Sequence, residues 1–355
     1  MKLGIFNEFD GLEKNYVKAC EELKVDYEII DILSSNWVEN VMNSDCDGYL
    51  VRPSYQKEVW KTMYDEKLYY ISKVLNRKIY PSYDELKLYE NKKNMSYWLE
   101  INKISHPKTW VFYTKKEAVE FVGQYNQYPL VFKTNIGSAG IGVSFIKNKK
   151  GALRLIEKVF TKWRFWNRGY LKWYKTRFKI KYPIMDDKQY NYVIFQEKID
   201  VKYEWRIIKI GESYFGHQKL AKGGYHSGSG LVGWVAPPIN LLEFAKKICD
   251  IGNFNSMDID VFEGYDGNYY VNELQTVFGS YNDSQMYIDG VPGRYIFKES
   301  KWVFEEGKFN RNGSFNLRVN DFINLLSKSD ANEDKKGVTY VGKNEEFCKK
   351  NNTNH

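Results

Sequence analysis

Paired cysteines are missing from this chain. Its four, Cys20, Cys46, Cys249 and Cys348, are scattered with no CxxC spacing. That excludes a cysteine zinc site and a disulfide frame, and reads as reduced thiols in a cytoplasmic protein. Long apolar runs are missing too: no window approaches the roughly 18 residues that span a bilayer. No signal peptide is expected, because Met1-Lys2-Leu3 runs straight into a strand-turn pattern. No internal repeat is visible, and no Ser-His-Asp or Cys-His arrangement argues for a protein nucleophile. Acid is the scarcer charge: 45 Asp and Glu against 53 Lys and Arg leave a net +8, which suits an anionic partner.

What is present is a 355-residue chain, 43% hydrophobic and 17% aromatic, enough for two or three domains with sizeable cores. Strand patterns at Lys2 to Asn7, Tyr27 to Asp31 and Gly48 to Arg52, with a helix at about Glu13 to Leu23, predict a βαβ opening and a parallel sheet. A helix is expected over Gln56 to Leu75, with Val59, Met63, Tyr70, Ile71 and Val74 on its buried face. Another is expected over Asp84 to Ile104. Thr114 to Glu117 reads as a capping box opening a helix. Residues 128 to 147 read as strand, glycine-rich turn, strand, and a helix follows at about Lys150 to Phe160. Strands are expected at Tyr192 to Gln196, Glu204 to Ile210 and Ser213 to Leu220. Asn240 is expected to cap a helix reaching Gly252. A last short helix spans Asn320 to Leu326, and a polar, disordered tail starts at Lys328.

Ser256 to Gly279 organises the rest. Asp266-Gly267 is a turn signal between two apolar, aromatic runs. Side chains two apart share a strand face, so Asp258 pairs with Asp260, and Glu273 with Gln275. Brought together, these faces would offer a hard cation carboxylate and amide oxygens. A solvated hairpin face accounts for the acids equally well. Lys133 ends an apolar strand before Asn135-Ile136-Gly137-Ser138-Ala139-Gly140-Ile141-Gly142. A cation followed by free backbone N–H groups suits phosphate, though the piece is neither a P-loop nor a dinucleotide fingerprint, and a flexible hairpin remains open. Gln196-Glu197-Lys198-Ile199 extends an apolar strand whose backbone could face a purine edge. Glu204 and Arg206 share a face that suits a ribose hydroxyl and a phosphate, or a surface ion pair. Lys219, Lys222 and His226 border a mobile-looking glycine-serine loop and suit an anion. His217, alone on a strand, reads as structural.

These pieces, in this order, resemble the ATP-grasp superfamily over most of residues 1 to 280. The resemblance is closest to carboxylate–amine ligases such as the ribosomal-protein glutamate ligases and the D-alanine–D-alanine ligases. It implies an α/β ATP-grasp fold with an N-terminal βαβ domain (1–90), a central lid subdomain with the glycine loop (91–195), and an antiparallel metal-binding subdomain (196–327). It implies ATP and Mg²⁺ as cofactors. Asp260, Glu273 and Gln275 would be the metal ligands, with Asp258 the alternative to Asp260. Lys133, Gly137, Ser138, Ala139, Gly140, Gln196, Glu197, Lys198, Ile199, Glu204, Arg206 and Lys219 would bind nucleotide, and Arg206, Lys219 and His226 would serve catalysis. Two departures stand out. Gln275 replaces the family's asparagine, and His226 with Gly228 or Ser229 replaces the arginine and asparagine of the glutamate ligases' substrate loop.

The implied reaction is amide formation through an acylphosphate, with a kinase that stops at phosphoryl transfer, or a non-catalytic nucleotide-binding membrane scaffold, as alternatives. Residues 158–185 carry nine Lys or Arg and no acid, interleaved with Trp, Tyr and Phe. They read as an insertion, either a lid helix or helical pair, or a surface docking an anionic membrane or a lipid-linked glycan. No nucleic-acid module is present, and nucleic acid is not expected. Charge and this insertion lead to the expectation of an acidic sugar or glycan precursor joined to an amino acid or small amine. Residues 280–319 would help form the acceptor side. The expected location is cytoplasmic, peripheral to the inner membrane face if the insertion docks.

Overall fold

The computed structural model describes residues 1–137, 142–161, 165–168, 173–175, 181–183, 186–222, 225–226, 231–278 and 282–341, with no side chains described at 162–188, 221–230 and 329–341. Strand β1 (Lys2–Phe6) is buried over its last four residues and lies centrally in a parallel sheet. Its neighbours are β2 (Asp26–Ile30) and β3 (Gly48–Leu50), and β4 (Ile79–Tyr80) extends the sheet beyond β3. Helix α1 (Lys14–Leu23), α2 (Trp37–Met42) and α3 (Glu58–Tyr69) complete the βαβ domain that the opening pattern predicts. A π-turn, Tyr70–Val74, ends α3. The buried face of this helical stretch is Trp60, Lys61, Tyr64, Leu68 and Ile71, while Val59, Tyr70 and Val74 are exposed. The expected face therefore holds only at Ile71 and, in part, at Met63. The true stripe is spaced three and four apart and mixes in Lys61, which a purely apolar reading skips.

The helix expected over 84–104 is two: α4 (Tyr83–Leu88) and α5 (Lys92–Ile101). Between them Glu90 takes a left-handed backbone, φ 49°. Both starts are capped, α4 by a Ser82–Glu85 capping box and α5 by the Asn91 side chain. The central sheet follows. It is built from β5 (Thr109–Phe112), β6 (Leu130–Lys133) and β7 (Val143–Ile146), and α6 (Lys115–Gln124) and α7 (Lys149–Val159) pack on it through Ala118, Val122, Ala152 and Ile156. Thr114 caps α6 by accepting the Glu117 N–H, which is half of the expected box. In the insertion, β8 (Phe165–Arg168), β9 (Trp173–Lys175), β10 (Lys181–Pro183) and β11 (Asp186–Gln189) form two antiparallel pairs, β8 with β11 and β9 with β10. Among the described residues of the insertion the backbone shows strand pairing and no lid helix. Strand β12 (Val193–Gln196) then inserts between β5 and β6.

The last sheet is antiparallel. Strands β13 (Val201–Ile210) and β14 (Ser213–Lys219) form its centre. Short pieces β15 (Ala221–Lys222), β16 (Tyr225–His226) and β17 (Val232–Gly233) follow, then α8 (Ile239–Gly252). Pro238 occupies the N-cap of α8, and Asn240 instead accepts the Tyr269 hydroxyl. The sheet continues with β18 (Ser256–Gly264), β19 (Tyr269–Gln275), β20 (Tyr287–Ile288), β21 (Val291–Lys298) and β22 (Lys301–Glu306). The Asp266-Gly267 turn forms as expected, with Gly267 at φ 77°, a value that favours glycine. Met257, Ile259 and Val261 of β18 pack with Leu241, Leu242, Ala245 and Ile248 of α8.

Helix α9 (Phe315–Val341) is far longer than the expected 320–326 and continues into the tail expected to be disordered; residues 342–355 lie outside the described set. Its apolar residues Phe315, Val319, Phe322 and Leu326 join Leu3, Ile5, Tyr16 and Leu50 in the core of the first domain. The packing thus departs from a simple serial division. Helix α5 lies on the core of the last sheet, and α9 returns to the first.

Candidate functional site

The acidic hairpin faces inward. Register sets His217, Arg206, Asp260 and Glu273 side by side across β14, β13, β18 and β19. The next row is Phe215, Ile208, Asp258 and Gln275, and Lys219 sits opposite Glu204. Alternation explains the placement: the opposite faces of β13 and β18 carry Trp205, Ile207, Met257, Ile259 and Val261 into the α8 core. Asp258, Asp260 and Glu204 are all buried, so the solvated-hairpin reading does not hold.

Buried charge needs partners. The Arg206 guanidinium holds Asp260 through Nε (2.9 Å) and Nη2 (3.1 Å), and its Nε also lies 3.0 Å from Asp258 Oδ2. Lys219 Nζ donates to Glu204 (2.5 Å) and to the second Asp260 oxygen (2.7 Å). Burial raises the Asp260 carboxyl, but Arg206 and Lys219 outweigh it and hold the group well below the usual carboxylate range. Asp258, with less help, is pushed up by burial. Glu273 is ion-paired with Lys92 Nζ at 3.2 Å; burial pushes its carboxyl up, but Lys92 together with Lys219 and Lys133 outweighs this and keeps it low.

Lys92 has a second role. Its Nζ donates to the Gly137 carbonyl at 2.6 Å, so it ties the base of the glycine loop to the metal strand. Glu90 parallels it, accepting the Gly137 N–H at 3.3 Å and, through its other oxygen, the Gln275 amide at 3.4 Å. Lys133 ends β6 where expected and donates to Asn272 at 3.0 Å. Burial, and then Lys92 nearby, lower its ammonium to about 8. Gly137 and Lys133, which flank the undescribed part of the loop, therefore meet the hairpin through Lys92, Glu90 and Asn272.

The other named residues distribute as follows. Gln196 is buried and donates to Thr109 Oγ1 at 2.9 Å. The Glu197 carboxylate accepts the Lys108 N–H at 2.6 Å, and Lys198 pairs with exposed Asp200 at 2.7 Å. Ile199, partly buried, completes this hinge between β12 and β13. Glu204, expected at a ribose, is engaged by Lys219 instead in this structure. Ser138, Ala139 and Gly140 lie outside the described residues, as does the side chain of His226. The sequence reading missed Lys92, Glu90 and Asn272. Only the capping position of Asn91 hinted at the first two, because their role comes from contacts 45 to 185 residues away.

The donor set suits a hard divalent cation. It is all oxygen, and among the described residues Gln275 Oε1 and Asp258 Oδ1 are buried oxygens with no hydrogen-bond partner. Gln275 stays in reach of the site, since its amide nitrogen bonds Glu273 at 3.0 Å. Of the expected ligands Asp260, Glu273 and Gln275, only Gln275 offers a buried oxygen without a partner; Asp260 and Glu273 would exchange their contacts with Arg206, Lys219 and Lys92 for magnesium.

A family model described as the RimK-like ATP-grasp domain matches residues 90–280, more than half of the chain. Among solved structures, the ADP complex of N5-carboxyaminoimidazole ribonucleotide synthetase is 13% identical, with a TM-score of 0.53 over 78% of this chain and 70% of that one. The Staphylococcus aureus N5-carboxyaminoimidazole synthetase is 12% identical, with a TM-score of 0.50 over 78% and 70%. A RimK domain ATP-grasp protein from Sphaerobacter thermophilus is 13% identical, with a TM-score of 0.49 over 77% and 90%. No curated protein matches. At these identities the likeness to solved structures is one of fold. With the glycine-loop base, the strand lysine and the acidic hairpin brought together, the chain belongs to the RimK-like ATP-grasp domain family.

Proposed function

We propose that the protein joins a carboxylic acid to an amine through an acylphosphate. The observation that carries this reading is Lys92, which bridges Gly137 of the glycine loop and Glu273 of the acidic hairpin. It brings phosphate-type and metal-type groups into one buried cleft. Four cations, Lys92, Lys133, Arg206 and Lys219, surround it. In this structure three of them are tied to the carboxylates. A divalent ion on Asp260, Glu273 and Gln275 supplies charge neutralisation for the triphosphate when bound. Arg206 and Lys219 would then turn from Asp260 to the transferring phosphoryl group and the acid's carboxylate. Lys133 and the N–H groups after it would hold the inner phosphates. Glu204, released by Lys219, would meet the ribose. Catalysis rests on positioning and charge neutralisation, because no serine, threonine or cysteine nucleophile stands with these groups among the described residues.

The acid attacks the γ-phosphorus, ADP leaves, and the amine displaces phosphate from the acyl carbon. The acidic-sugar expectation drew on net charge and on residues 158–185, whose side chains from 162 onward lie outside the described set, and neither narrows the acid or the amine further. No described helix is long and apolar enough to cross a membrane. The test is ATP-dependent hydroxamate formation in hydroxylamine over a panel of amino acids, dicarboxylic acids and uronic acids. At least one acid should yield hydroxamate and ADP together. ADP with a stable phosphorylated product and no hydroxamate would establish a kinase instead. Nucleotide binding without turnover on any acid would leave only the scaffold alternative.

A further inference from the structure

One buried polar group in the cleft has no part in the scheme above. His217 stands in the same cross-sheet row as Arg206, Asp260 and Glu273, two strands from the acidic hairpin, and is only 6% exposed. Its Nδ1 lies 2.8 Å from the Gln285 carbonyl. A carbonyl only accepts, so Nδ1 carries the proton. Burial is the main cause holding the imidazole down at about 4, and Arg206 and Lys219 add to it against Asp260. The ring is thus neutral at physiological pH, and its lone pair is at Nε2, on the edge turned away from Gln285. Among the described residues no hydrogen bond to Nε2 is found, and Nε2 is not one of the fully buried atoms without a partner, so it is open to solvent. An imidazole pinned in one tautomer with an open acceptor can take a donor from a ligand.

The neighbours indicate which donor. The Trp234 ring packs edge-on against His217 at 5.5 Å, and Tyr287 packs edge-on against Trp234 at 4.7 Å. Trp234 is 39% exposed, so part of the residue beside the imidazole can be reached from solvent. Aromatic faces attract ammonium groups. Arg206 and Lys219, the cations that act on the ring, are paired with anions in either state: with Glu204, Asp258 and Asp260 here, and with the phosphoryl group and the acid's carboxylate in the ligase reading.

We infer that His217, Trp234 and Tyr287 form the subsite for the amine co-substrate, taking a primary ammonium whose N–H donates to His217 Nε2 while its charge lies against the Trp234 ring. The inference rests on the ligase reading and names the class of its second substrate. It also separates the two substrates in space: the acid meets Arg206 and Lys219, and the amine approaches from the β14–β20 side of the same row.

The test is ¹⁵N NMR of the imidazoles of the full-length protein, four in all, with His217 assigned by loss of its signal in His217→Gln. The probes are the twenty amino acids and putrescine, added singly with Mg²⁺ and a non-hydrolysable ATP analogue. At least one should move the His217 Nε2 resonance saturably. Trp234→Ala should weaken that binding roughly tenfold, the size of one desolvated cation–aromatic contact, and Trp234→Phe should restore most of it. Nucleotide affinity should not change in either variant. If no probe shifts the His217 resonance, or if Trp234→Ala weakens nucleotide binding as much as amine binding, the assignment is overturned. The outcome is distinguishable from failure of the ligase reading: hydroxamate formation without a His217 shift removes the subsite alone, and a shift without hydroxamate removes the ligase.

Discussion

At the residue scale, charges in the cleft are matched before any ligand arrives. Asp260 receives donors on both oxygens, and Glu273 is met by Lys92. Matching lets the fold bury acids that would be costly alone. It also makes Lys133 the exception, since its Nζ meets a neutral amide rather than a carboxylate. With its ammonium depressed to about 8, Lys133 is charged below that pH and loses its proton as pH rises through it. The unfolded chain keeps the proton up to about 10.4, so the buried charge is destabilising below about 8, and stability contributed by this residue rises between those values. Function runs the other way. KM for ATP measured across pH 7 to 9.5 should increase through pH 8, and Lys133→Arg, which stays charged, should flatten that profile. A profile unchanged by the substitution would assign the titration elsewhere.

At the element scale, the hairpin is held from behind. Arg318 of α9 is fully buried; its Nε donates to Ser256 Oγ (3.2 Å) and its Nη2 to the Phe278 carbonyl (3.0 Å). These partners lie at the start of β18 and just past the end of β19, so one side chain fixes both ends of the acidic hairpin. Its guanidinium also stacks over Phe278 at 4.3 Å. Among the described residues it has no carboxylate at ion-pair distance, and burial lowers its basicity. Arg318→Met is expected to destabilise the protein by about 2–3 kcal/mol, the value of charged hydrogen bonds lost in a buried setting. Thermal unfolding checks this, and a change within measurement error would show that the clamp is dispensable.

The hairpin itself was legible in the sequence because it is local. Asp-Gly turn chemistry and period-two acids define it without help from the rest of the chain. The break between α4 and α5 was not legible: Glu90 adopts its left-handed backbone where its carboxylate meets Gly137 and Gln275, and neither partner is near it in sequence. The π-turn after α3 escaped for a related reason, since the apolar spacing reads through it without a gap.

At the scale of the whole molecule, order along the chain identified the family, whereas the assignment of elements to layers needed coordinates. Gly137, Arg206, Asp260 and Glu273 come in a readable sequence. Nothing in the spacing of α9 announces that Phe315, Val319 and Phe322 complete the core beneath β1. Phe322→Ala should cost about 3–5 kcal/mol, as for a large ring removed from a packed interior, although the residue lies far outside the first ninety. Chemical denaturation should show this loss, with protection of the β1 and β3 amides in hydrogen exchange falling alongside it. Loss of protection confined to the last sheet would contradict the packing.

The return of α9 has a consequence for biosynthesis. Asn312 and Asn316 bond Asn15 and Glu22 of α1 across gaps of 297 and 294 residues. As the chain leaves the ribosome, the first sheet has one side bare until nearly the whole molecule has been translated. Its closure must wait for the far end, so the emerging N-terminal segment is the part most in need of chaperone shelter.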